Sequence, residues 1–164
     1  MSSKKVEPRV IGMDSWKWSG EDYLVPECHF TVLDYVEGVG KVGLYVMNPG
    51  AKTNVFSMEQ TDDGTAEEYY GPCHEFYYLL VGECTMYWGE DTEKVRKGSS
   101  RKLALKAGDL GYWAPGWKYS VQNTGKAPAT FFWGITSPPG QKRRSIKKPP
   151  PGTPGEQLTD TNPA

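Results

Sequence analysis

Histidine is scarce in this chain. Of its 164 residues only His29 and His74 are histidines, too few for a metal centre built from three or four imidazoles of one chain. Cysteine is scarce as well. Cys28, Cys73 and Cys84 are an odd count without a CxxC spacing, which excludes a disulfide framework and a zinc knuckle and leaves three small, buried or half-buried thiols. Cys73 alone stands beside candidate chemistry, next to His74 and Glu75. An excess of charge is also missing: 19 Lys and Arg face 20 Asp and Glu, a net −1. Nothing global therefore points to nucleic acid or an anionic membrane as partner. No apolar run approaches the length of a membrane span, and the opening MSSKKVEPRV carries no apolar signal region. A cytoplasmic protein is the expectation.

Turn formers and aromatics are plentiful instead. Glycine (19), proline (13) and 13% aromatics fit many short strands better than long helices. The length suits one domain with a sizeable core. We expect an N-terminal arm over 1–10, a β-rich body over 11–137 and a flexible Pro-rich tail over 138–164, polar enough to stay extended or disordered. Five of the seven residues from Lys142 to Lys148 are basic, either a solvated tail or an arm for a partner subunit or acidic ligand. Within the body, strands are expected at Cys28–Val36, Gly43–Met47, Thr53–Met58, His74–Val81, Glu83–Trp88, Leu103–Leu105, Leu110–Trp113, Tyr119–Gln122 and Ala129–Ile135. An acidic loop separates the third from the fourth (59–68, EQTDDGTAEE), and residues 89–102 read as a long charged hairpin loop. About ten short strands with turns between them indicate a sandwich or barrel.

Two segments about thirty residues apart sharpen that reading. In the first, Glu75 is followed by FYYLLV and Gly82. In the second, Gly108, Gly116 and Asn123 are spaced along GDLGYWAPGWKYSVQN, with Ala114 and Pro115 ahead of Gly116 and Tyr119 between Gly116 and Asn123. Gly82 permits a tight turn between strands, and Ala114-Pro115-Gly116 makes a corner that aims position 119 into the barrel. These segments, with the upstream NPGAKTNVF, resemble the two motifs of the cupin superfamily over roughly residues 28–136. The resemblance implies an all-β, cupin-type jelly-roll barrel, commonly a homodimer. Exposed edge strands would pair with another subunit, and residues 1–10 would swap across the interface.

The resemblance also implies a metal held by two histidines and a glutamate from the first motif and one histidine from the second. Here the glutamate is Glu75, but Tyr119 stands where the second-motif histidine is expected. The first-motif pair falls on Phe56 and Met58, counting forward from the Pro49-Gly50 turn, or on Glu68 and Tyr70, counting back from Glu75. Neither placement offers a histidine. What remains is an inward Glu75 sharing a strand face with Tyr77. Burial among apolar groups would raise its pKa and suit it to general acid or base work; alternatively it is tied structurally to Tyr77 or Tyr119. Tyr119 is either a proton donor and oxygen holder or an aromatic plug. His74 falls on the opposite strand face unless a bulge after Gly71-Pro72 brings it inward. Glu68 and Tyr70 close the barrel mouth, supply oxygen ligands or are simply solvated. The candidate catalytic set is thus Glu75, Tyr119, His74 and Tyr77. Trp113, Trp133, Asn123, Phe56 and Met58 are candidate ligand contacts. Any divalent zinc, iron or manganese would draw on His74, Glu75, Glu68, Tyr70 and Tyr119. Two functions follow: an isomerase- or lyase-type enzyme acting on a small organic molecule, or a non-catalytic small-molecule-binding barrel.

Overall fold

The computed structural model describes residues 28–36 and 40–136. The expected arm and tail lie outside the described residues. Ten strands and one helix follow in order: β1 (Cys28–Val36), β2 (Gly40–Met47), β3 (Phe56–Ser57), β4 (Glu68–Tyr69), β5 (Glu75–Val81), β6 (Glu83–Gly89), α1 (Thr92–Lys97), β7 (Arg101–Lys106), β8 (Leu110–Trp113), β9 (Lys118–Asn123) and β10 (Ala129–Thr136). They form two five-stranded sheets, β1-β2-β10-β5-β8 and β4-β3-β9-β6-β7. This is the jelly-roll architecture expected from the sequence. Both sheets contribute to one apolar core, in which Met47, Leu79 and Phe131 of the first meet Met86, Leu105 and Val121 of the second. Among the described residues no helix is long and apolar enough to cross a membrane.

The period of two governs which side chains enter that core. Along β5, Glu75, Tyr77 and Leu79 are buried while Phe76, Tyr78 and Leu80 are half-buried or exposed, as pleating requires. Gly82 joins β5 to β6 with φ 94°, a conformation that only glycine adopts freely. A Cβ there would also lie 2.8 Å from Ala129 Cα, so the turn and its packing both demand glycine.

Residues 89–102 are not the loop that their charge suggested. Asp91 caps α1, its Oδ1 accepting from the Lys94 N–H at 3.0 Å, and Gly98 ends the helix at φ 72°. These are the start and stop signals of a short helix. Val95 and Thr92 are its buried contacts, and Lys52 Nζ donates to the carbonyls of Val95 at 2.9 Å and Arg96 at 2.6 Å. Strand lengths differ too: the third strand is confined to Phe56–Ser57, and a two-residue β4 begins on the last residue of the acidic stretch.

The acidic loop is anchored rather than freely solvated. Lys118, 3% exposed, reaches Glu59 at 3.4 Å, donates to the Glu90 carbonyl at 3.0 Å and forms an ion pair with Asp63. Burial by itself would raise the Asp63 pKa. The Lys118 hydrogen bond, helped by the Thr65 amide and hydroxyl, outweighs that and brings it down to about 2. For Lys118, burial pulls downward, but its bonds and charge pairing with Asp63 and Glu59 raise the pKa above the usual lysine value. Arg96 completes the anchor through its ion pair with Glu67 at 2.5 Å.

Candidate functional site in the barrel interior

Glu75 opens β5 opposite Ile135 of β10 and Trp113 of β8, in regular register at that end. Its side chain is 5% exposed. The Tyr77 hydroxyl, one inward position along, donates to it. Tyr77 is held by rings: its centroid lies 4.6 Å from Phe131, 6.2 Å from Trp113 and 6.3 Å from Tyr119. Burial, then the Glu75 charge and hydrogen bond, push the Tyr77 pKa well above the usual phenol range. It therefore stays protonated and acts as a donor at neutral pH.

A second carboxylate–phenol pair lies beside the first. Tyr70 donates to Glu68, and Asn54 Nδ2 approaches the same carboxylate at 3.4 Å. The Tyr70 pKa is also raised, by burial first and then by the charges of Glu68 and Glu75. Each phenol thus senses both carboxylates. The cluster runs from buried Glu75 to Glu68 and Tyr70, which are half-buried and form its side nearer solvent.

Tyr119 is fully buried. Its ring stacks on Trp113 with centroids 4.2 Å apart and planes 24° apart, and Phe56 covers it at 5.4 Å. Among the described residues neither the Tyr119 hydroxyl nor the Trp113 Nε1–H finds a hydrogen-bond partner. Buried polar groups are normally paired, so two orphaned groups in one stack mark the interior as unfinished. Phe56 pairs in register with both Tyr119 and Glu68. The two alternative placements of the first-motif pair therefore begin on neighbouring strands, Phe56 on β3 and Glu68 on β4.

Several sequence-based expectations are corrected. His74 does not enter the interior. It is exposed, its backbone exchanges hydrogen bonds with Thr136 at 2.9 Å, and its Nδ1 meets the Tyr112 hydroxyl at 2.5 Å on the outer face. The bulge that would bring it inward is absent, because pairing is already regular at Glu75. The Asn123 amide is engaged by backbone. Its Nδ2 donates to the Met47 and Ala127 carbonyls, both at 2.9 Å, and its Oδ1 accepts from the Gly125 N–H at 2.9 Å, so it fastens the turn after β9. Met58 is core, fully buried. Trp133, 7% exposed, sits opposite Tyr77 and does line the interior. The Lys118 anchor was not legible in the sequence, since nothing local distinguishes a lysine that will be buried beneath an acidic loop. Cys73 and Cys84 are buried. The Cys73 Sγ donates to the Tyr70 carbonyl at 2.8 Å, and burial raises the Cys84 thiol to about 11.

The donor set does not fit a cupin metal. No group of three or more His, Cys, Asp or Glu side chains could hold an ion among the described residues. The reason is local: His74 points away, Phe56 brings no donor atom, Met58 offers only a soft thioether, and Tyr119 is stacked.

No protein-family model matches the sequence, and no curated protein is significantly similar to it. Solved structures are. The Schizosaccharomyces pombe Cnp3 cupin domain matches with TM-score 0.56 at 16% identity, over 80% of this chain and 77% of that one. A predicted oxalate decarboxylase from Thermotoga maritima matches with TM-score 0.57 at 17% identity, over 79% and 99%. A Drosophila melanogaster CENP-C structure bound to CAL1 matches with TM-score 0.52 at 12% identity, over 76% and 82%. The chain has the cupin fold.

Proposed function

We propose that this barrel binds a small, neutral, polar organic molecule without a metal. The carrying observation is the pair of orphaned groups on the Trp113–Tyr119 stack, set in the same aromatic interior as the Glu75–Tyr77 pair. An indole N–H and a phenol offer donors, and Glu75 and Glu68 offer acceptors. A ligand with both acceptor and donor atoms on a flat or sugar-like frame satisfies them together. An anionic ligand would meet two carboxylates and be repelled. The fold alone does not decide between chemistry and binding: the structural neighbours include one described as an oxalate decarboxylase and one bound to a protein.

Calorimetric titration with a panel of monosaccharides, heteroaromatic amides and small carboxylic acids tests this. Neutral members should bind and the acids should not. Tyr119→Phe should weaken binding by about fivefold, the worth of one hydrogen bond of about 1 kcal/mol. Binding by the acids alone, or unchanged affinity in both Tyr119→Phe and Glu75→Gln, sinks the proposal.

The Glu75–Tyr77 pair favours a second reading, in which the carboxylate moves a proton on the bound molecule and the phenol steadies the resulting oxygen, an isomerisation or elimination. Incubating a bound panel member in D2O distinguishes the two. Deuterium incorporation lost in Glu75→Gln supports catalysis, whereas recovery of the unaltered molecule leaves binding alone.

A further inference from the structure

One row of paired residues crosses the whole second sheet. The register that joins Glu68 to Phe56 and Phe56 to Tyr119 continues from Tyr119 to Trp88 on β6, and from Trp88 to Arg101 on β7. Paired positions on neighbouring strands share a face. Trp88 packs on the core, so the row faces inward, from buried Tyr119 to half-buried Trp88 and exposed Arg101. At that open end the Arg101 guanidinium lies over two indoles, 4.8 Å from the Trp88 ring centroid and 5.8 Å from that of Trp117. The two indoles meet edge to face with centroids 5.0 Å apart. Such stacking holds the planar fork of a guanidinium in place. Among the described residues Arg101 forms no ion pair.

The hydrogen-bonding groups left open along this row are donors. The Trp88 Nε1–H, like the Tyr119 hydroxyl and the Trp113 Nε1–H, has no partner among the described residues. Trp88 stands beside Tyr119 in the register and Trp113 is stacked upon it, so the three form one patch. An indole N–H donates and never accepts, and the same holds for a guanidinium. The nearby carboxylates already receive donors: Glu75 takes the Tyr77 hydroxyl, and Glu68 takes that of Tyr70. Donors are therefore in excess.

We propose that the ligand of this interior is a flat molecule with carbonyl-type oxygens and few donors of its own, and that Trp88, Trp117 and Arg101 form the subsite for one of those oxygens. This rests on the reading of the barrel as a binder of neutral polar molecules, and narrows it. A sugar hydroxyl that accepts from an indole brings a hydrogen that needs an acceptor in turn. A carbonyl oxygen brings none. Flatness follows from the rings of the row, which offer faces and edges to a planar frame. Arg101 adds a charged donor, which strengthens the bond to an uncharged oxygen, and it does so at the end of the row farthest from the Glu68 carboxylate.

Two small neutral rings, each with two oxygens in a meta relation, separate the classes. N,N′-dimethyluracil carries two carbonyl oxygens and no donor, whereas resorcinol carries two hydroxyls. In calorimetric titrations of the full chain, N,N′-dimethyluracil should bind at least about tenfold more tightly than resorcinol. Arg101→Ala should weaken its binding by about tenfold and Trp88→Phe by about fivefold, with the circular dichroism spectrum unchanged. Lys102→Ala should leave the affinity as it is, because Lys102 pairs with Tyr87 and so projects to the opposite face. Equal or tighter binding of resorcinol overturns this inference, as does an affinity for N,N′-dimethyluracil that Arg101→Ala leaves intact or that Lys102→Ala lowers as much. In those cases weakening by Tyr119→Phe of whichever ring binds keeps the broader reading standing. Failure of both rings, and of every neutral sugar and amide, overturns the two together.

Discussion

The two faces of β5 reverse the usual distribution of polar and apolar groups. Its inner face carries a carboxylate and a phenol among buried rings, and its outer face carries Phe76, Tyr78 and Leu80 toward solvent. Each arrangement is costly when left alone. A buried carboxylate loses hydration that only good partners restore, and exposed apolar side chains gathered on one face lose what burial would return. Inside, Tyr77 donates to Glu75 and offsets part of that cost; outside, the rings meet only their neighbours, as Phe76 does Phe132. Inside, the groups are directional, and the proposed small-molecule binding draws on them. Outside, they are broad and uncharged.

The comparison is broken most severely by emptying the inner face. Trp113→Ala removes the ring that stacks on Tyr119 and touches Tyr77, and should cost about 3–5 kcal/mol, measured by urea denaturation. Tyr119→Phe is the sharper change. Because the hydroxyl has no partner among the described residues, deleting it should leave the ligand-free protein as stable or more stable by about 1 kcal/mol, while ligand affinity falls. Loss of stability instead would mean that the hydroxyl is structurally paired and the inner face complete.

Acid titration separates the interior from the anchor beside it. The Asp63 pKa is depressed to about 2, so its contribution to stability is fully present above the unfolded value near 4 and is lost as pH falls through about 2. Wild-type stability should therefore decline between about pH 4 and 2 more steeply than that of Asp63→Asn, with the difference kept small by the exposure of the carboxylate to solvent. Thermal melts across that window measure it. The smallest effect belongs to the outer face: Tyr78→Lys, at a 40% exposed position, should change stability by no more than about 0.5 kcal/mol, measured by urea denaturation. A large loss of stability would show that Tyr78 is packed as part of the core rather than lying on the exposed outer face.

Local pattern carried much of the fold. Alternation along EFYYLLV put Glu75, Tyr77 and Leu79 on one face, the cupin resemblance made that face inward, and the corner at Ala114-Pro115-Gly116 placed Tyr119 inside, fully buried. The helix over Thr92–Lys97 was missed although its caps, Asp91 and Gly98, are plain in the sequence, because the charge of the segment outweighed them in the reading.

Partners across the sheet were beyond local pattern. His74 had two possible directions, and the register of Glu75 against Ile135 and Trp113 settled it. Asn123 fits a motif whatever it bonds to, and only the closeness of Met47 and Ala127 shows it as a structural clamp. Lys118 reads as a surface residue until Asp63, 55 positions away in sequence, folds over it. The sequence by itself thus determined the succession of strands along the chain and the turns between them, since these rest on the period of two and on glycine and proline geometry within a few residues, while the family resemblance gave the inward face. Only the tertiary structure decided which inward groups are joined and which remain open. Those contacts link distant segments, and their strength depends on burial that no single segment contains.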